Sequence, residues 1–143
     1  MSVDPDVIKE LLAHLREYVS RIDNMDFEPH ELHEDVDVQD LVAHRLHTAV
    51  ETMIDISMHI ASGLNLPKRD DSASVIKLLG KERILSDNLV KRLTGAPGAR
   101  NVIVHEYHNV DFQDLEKNLD QNIIDLKDYA KEIVEYLEKE EII

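Results

Sequence analysis

The chain has 143 residues, 43% of them apolar, with two Phe, four Tyr, no Trp and no Cys. That length suffices for one domain with a real core, which must be built from Leu, Ile and Val. The missing Cys excludes disulfides and thiolate metal sites and points to a reducing cytoplasm, while the net charge of −14 argues against general affinity for nucleic acid.

The opening "MSVDPDVIKE" carries acids and no apolar run, unlike a secretory leader. Asp4 before Pro5 reads as an N-cap followed by Pro at the first helical position. Val7, Ile8, Leu11, Leu12, Leu15, Val19 and Ile22 then repeat at helical spacing, predicting a first helix to about Asp23. Residues 24–36 are polar and acidic and read as a loop. Asp37 is expected to cap a second long helix, lined by Leu41, Val42, Leu46, Ala49, Val50, Met53, Ile54 and Ile56 and stopped by Ser62–Gly63.

"LNLPKRDD" is a connection, after which Asp71 or Ser72 caps a short helix through Leu79, closed by Gly80. A fourth helix is expected over 82–93, ended by "TGAPG", and a further short one over 99–107. Asp111, with Asp114 three residues on, resembles a capping box with a shorter acid and opens the last helix. Phe112, Leu115, Leu119, Ile123, Leu126, Ile133 and Leu137 form its inward stripe. No segment alternates with period two over a useful length. No apolar stretch approaches the roughly 20 residues that span a bilayer, so no membrane role is expected. The expectation is one all-α domain over residues 1–143, a bundle of three long helices and two or three short ones.

Charge is unevenly spread. Residues 67–100 hold eight basic side chains (Lys68, Arg69, Lys77, Lys81, Arg83, Lys91, Arg92, Arg100) against four acids, so this span is positive and the remainder more negative than the total. The basic span leads into "GAPGARNVIVHEYHNVD", residues 95–111, where Arg, Asn, His and Tyr crowd together after a Gly/Pro break.

At about 100° per residue, Asn101 and His105 share a helical face, Arg100 and Tyr107 nearly eclipse, and Arg100 and His105 stand roughly 140° apart. One straight helix cannot aim both of the latter at one atom, whereas two copies about a two-fold axis can pool them, so the geometry asks for a homodimer. His titrates near neutrality and can take a proton from a ribose hydroxyl or return one to a leaving oxygen. Arg keeps its charge and offers a planar fork to phosphate oxygens. Together they suffice for RNA cleavage through attack by the 2′-hydroxyl, with no metal or other cofactor. The plainer alternative is an Arg and a His at a helix seam, exchanging bonds with carbonyls and carboxylates.

Other polar groups invite weaker readings. "HELHE" and "HRLH" space His30 with His33 and His44 with His47 three apart, but no His has an acid three positions before it, so the Glu-x-x-His pattern of di-iron bundles is missing. Glu51 and Asp55 read as a polar stripe, or as acids able to hold Arg45 or Arg100. Tyr18, Tyr129 and Tyr136 read as packed against the bundle. The acidic "EYLEKEEII" reads as a solvated helix end.

"RNVIVHEYHNVD" resembles the R-x4-H-x-Y signature of the HepT proteins, a branch of the HEPN superfamily. "RLHTAVETMIDISMHI" resembles the second helix of that family, "ILSDNLVKRLTGAPGARN" the helix leading into the motif, and "VDFQDLEKNL" the helix that follows. The resemblance covers about residues 1–138 and keeps the order of elements. It implies a homodimeric helical-bundle toxin of a prokaryotic toxin–antitoxin pair, acting as a metal-independent endoribonuclease. Arg100 and His105 match the catalytic pair and Asn101 the polar residue that often follows the Arg. Tyr107 matches the Tyr that the partner antitoxin, a nucleotidyltransferase of the MNT type, modifies with AMP. An added AMP would block the pocket and neutralise the attraction of the Arg for RNA. The alternative is a non-catalytic helical module that serves as partner or substrate of a nucleotidyltransferase.

Overall fold

A computed structural model describes residues 2–94 and 112–143. Among these, six helices and no strand are present: α1 Pro5–Asp23, α2 Glu31–Glu34, α3 Val36–Gly63, α4 Ser72–Lys81, α5 Asp87–Thr94 and α6 Phe112–Lys139. None of them is long and apolar enough to cross a membrane.

α1 forms as its sequence predicts. Asp4 Oδ1 accepts from the Asp6 amide at 3.0 Å, and Pro5 supplies a first residue that needs no hydrogen-bond acceptor. Its stripe of Ile8, Leu12, Leu15, Val19 and Ile22 is buried, mainly against α3. Each such side chain contributes about 1.5–3 kcal/mol when fully removed from water. α3 is the axis of the bundle, buried on several sides by α1, α2, α4 and α6. In its middle, Tyr129 of α6 places its phenol on Ser57 Oγ at 2.6 Å, and Ser57 donates onward to the Met53 carbonyl at 2.9 Å. The one wholly buried tyrosine of the described residues is thereby satisfied.

Several boundaries differ from the sequence expectation. The 24–36 stretch contains the one-turn helix α2, whose Leu32 is buried against α3 and α6. The cap of α3 is Asp35, whose Oδ1 accepts from the Asp37 amide at 2.9 Å, so Asp37 is already inside the helix. Asp71, one of the two expected caps, does cap α4: its carboxylate accepts from the Ser74 amide at 2.8 Å, and that bond is the main reason its pKa is held below the ordinary value.

The expected helix over 82–93 starts only at Asp87, because the chain first turns at Arg83, which has φ +62. There the Ile84 amide bonds the Leu79 carbonyl at 2.9 Å and the Arg83 amide bonds Gly80 at 3.0 Å. Those two bonds are a Schellman ending, with Arg where Gly is usual. The same pair closes α3 around Asn65 (φ 57) and α6 around Glu141 (φ 58). α3 ends at Gly63 as expected and α4 runs one residue past Gly80, so both glycines lie in the last turns of their helices. They permit close approach: a Cβ on Gly63 would stand 2.8 Å from the Val3 backbone nitrogen, and one on Gly80 2.6 Å from Val90 Cγ2.

Candidate functional site

Arg100, Asn101, His105 and Tyr107 all lie outside the described residues, as do the helix expected over 99–107 and the cap at Asp111. The structure therefore brings none of them together or apart; it describes the frame on either side.

The approach to the motif is α5. Ser86 Oγ accepts from the Leu89 amide at 3.2 Å, and the Ser86 amide and hydroxyl both donate to Glu132 of α6, at 2.6 and 2.9 Å. Two turns on, Arg92 Nη1 donates to Asp125 Oδ1 at 2.6 Å and to Asp128 Oδ2 at 3.0 Å, while its Nε donates to Asn88 Oδ1 at 2.8 Å. Ser86 pairing with Glu132 and Arg92 with Asp125 fix α5 antiparallel to α6. Burial opposes the charge of Arg92, but the bonds to Asp128 and Asp125 outweigh it and raise the guanidinium pKa above its ordinary value. One of the eight basic residues counted in the positive span is thus committed internally and is not free for phosphate. Lys68, Arg69, Lys77, Lys81, Arg83 and Lys91 remain exposed.

Asp125 is fully buried. Its Oδ1 also accepts from Gln121 Nε2 at 2.8 Å, but its Oδ2 has no hydrogen-bond partner among the described residues. Nor has Oδ1 of Asn122, three residues earlier on the same face and 2% exposed. Native chains rarely leave buried acceptors empty. Sequence reasoning missed this cluster, although a signal existed. Asp125 interrupts the inward series Leu119, Ile123, Leu126, Tyr129, and a carboxylate at a core position demands a cation.

The departure from the motif is the first turn of α6. Phe112 is half-buried, and Glu116 Oε2 meets His33 Nδ1 of α2 at 2.6 Å. His30 stands 3.7 Å from Glu34. These pairs absorb both histidines of "HELHE", and no group of three or more candidate metal ligands occurs among the described residues. Glu51 and Asp55 are exposed, and Arg45 donates to the Arg21 carbonyl at 3.1 Å rather than to either acid. Tyr18 is half-buried under the Arg21 guanidinium, 4.8 Å from its ring centre.

These elements define a class: an all-α helical bundle in which α5 and α6 flank a sequence stretch of R-x4-H-x-Y pattern. A family model described as Ribonuclease HepT-like matches residues 8–133, a span that includes the whole motif. The chain belongs to the Ribonuclease HepT-like family. It is 28% identical over 114 residues to the tRNA nuclease HepT of Aphanizomenon flos-aquae, covering 77% of this chain and 76% of that one. It is 27% identical over 105 residues to the mRNA nuclease HepT of Shewanella oneidensis, covering 73% and 79%. Its fold is similar to that of a tri-AMPylated HEPN toxin from Shewanella oneidensis solved in complex with MNT antitoxin. There the TM-score is 0.75 at 23% identity, covering 90% of this chain and 96% of that one.

Proposed function

We propose that this chain is the toxin of a HepT/MntA-like, type VII toxin–antitoxin pair, and that as a homodimer in the cytoplasm it cuts RNA without a metal. The observation that carries the reading is the family match across residues 8–133, a span that contains Arg100, Asn101, His105 and Tyr107.

His105 takes the proton of a ribose 2′-hydroxyl, whose oxygen attacks the adjoining phosphorus. The bond to the 5′-oxygen breaks, and that oxygen leaves with a proton returned by a histidine. Arg100 stabilises the charge that gathers on the phosphorane oxygens, and Asn101 orients His105. The partner would be a nucleotidyltransferase of the MNT type. Attack by the Tyr107 phenol oxygen on the α-phosphate of ATP releases pyrophosphate and leaves AMP on the tyrosine. The added phosphodiester stands where the RNA phosphate must bind, so cleavage stops. Support for this switch is the tri-AMPylated state of the similar toxin and its MNT antitoxin partner.

Expression of wild type, His105→Ala and Arg100→Ala tests the nuclease reading. Growth arrest with RNA degradation that persists in chelator, seen in wild type alone, is the expected result. Three equally harmless proteins would leave a non-catalytic partner of a nucleotidyltransferase as the function. For the switch, intact mass after co-expression with such an enzyme should rise by one or more AMP units, and Tyr107→Phe should abolish the gain.

A further inference from the structure

Building on the nuclease reading, we propose that Asp125 is a positioning residue for RNA cleavage, acting through Arg92 to set where α5 delivers the chain that carries the catalytic pair. Arg92 lies two residues before Thr94, the last described residue ahead of the motif, and it is held from three directions by Asp125, Asp128 and Asn88. Asp128 and Asn88 are at the surface or its edge; Asp125 is the wholly buried member and gives the shortest bond.

As a stability device the arrangement is poor. A buried ion pair is often no better for stability than two apolar side chains of the same volume. Here Asp125 Oδ2 and Asn122 Oδ1 are also buried without a partner among the described residues, and each such acceptor opposes folding. What the pair supplies is direction. A guanidinium fixed by three acceptors on two helices prevents α5 from sliding or rotating on α6, which packing of Leu89 and Leu93 alone would allow. Catalytic groups misplaced by about 1 Å lose on the order of a hundredfold in rate.

The test compares wild type, Asp125→Asn and the apolar pair Arg92→Met/Asp125→Leu, using a purified tRNA pool and a synthetic single-stranded RNA as substrates. The apolar pair should match wild type in helicity and Tm. Both variants should keep KM while kcat falls roughly ten- to a hundredfold. A pair variant that is stable and cleaves at the wild-type rate overturns the role, because the ion pair would then be structural only. The double variant also keeps the test decisive where Asp125→Asn alone fails to fold. An inert wild type would remove the nuclease reading and this role with it, whereas an active wild type with an equally active pair variant removes this role alone.

Discussion

Tyr129 shows how a single residue can couple folding to pH. Burial pushes its phenol pKa up, and the bond to Ser57 offsets only part of that rise. The folded chain therefore holds this proton more tightly than the unfolded chain, whose phenol titrates near pH 10.0. Its stabilising effect is complete below that pH and is withdrawn as pH rises above it. In an alkaline titration, phenolate absorbance from Tyr129 should appear only as helicity is lost. Tyr129→Phe should remove that late step and lower stability by about 1–2 kcal/mol in urea unfolding. A variant with an unchanged titration trace would contradict the assignment. At this scale the sequence was read unevenly. Helical spacing predicts Tyr129 packed against the bundle, yet its hydroxyl partners come from Ser57 and Met53, over seventy positions away, and no local pattern announces them. The partner of Asp125 is likewise distant, although the misfit of an acid in a core stripe was visible.

The elements themselves were legible because amphipathic periodicity and capping acids act locally. α1 follows from those signals almost to the residue, α3 to within two residues of its expected cap, and α6 in the burial of its apolar stripe. Their ends were less legible, since glycine carries two meanings. Gly63 and Gly80 read as stops but serve close packing, while Asn65, Arg83 and Glu141 take the left-handed position that closes each helix. Arg83 and Glu141 bear a Cβ where glycine is unstrained, so Arg83→Gly and Glu141→Gly should each raise stability by about 0.5–1 kcal/mol in denaturant unfolding. Asn65→Gly should gain less, because Asn tolerates that conformation. Gly63→Ala has the opposite sign. The general helical preference for Ala is about 1 kcal/mol, but here the new Cβ meets backbone of Val3, and Tm should fall. A rise in Tm for Gly63→Ala would refute the packing role.

For the whole molecule, the proposed function carries a requirement: if the sequence expectation of a helix over 99–107 holds, Arg100 and His105 stand roughly 140° apart and two protomers must share a pocket for cleavage. Sedimentation should show a dimer at micromolar concentration, and dilution that yields monomer should abolish cleavage in parallel. An active monomer would end the shared-pocket account. The motif was readable as a pattern because its spacing is short and unusual; the frame around it was not, because Glu132, Asp125 and His33 reach it from other helices. That frame has a practical corollary. Arg92 is moored to Asp125 ahead of the motif, and Glu116 to His33 behind it, so both anchors belong to the scaffold rather than to residues 95–111. The consequence is testable by exchanging residues 95–111 between those two anchors. Transplanting the equal-length stretch of a relative should leave thermal unfolding nearly unchanged while importing the donor's preference among RNAs.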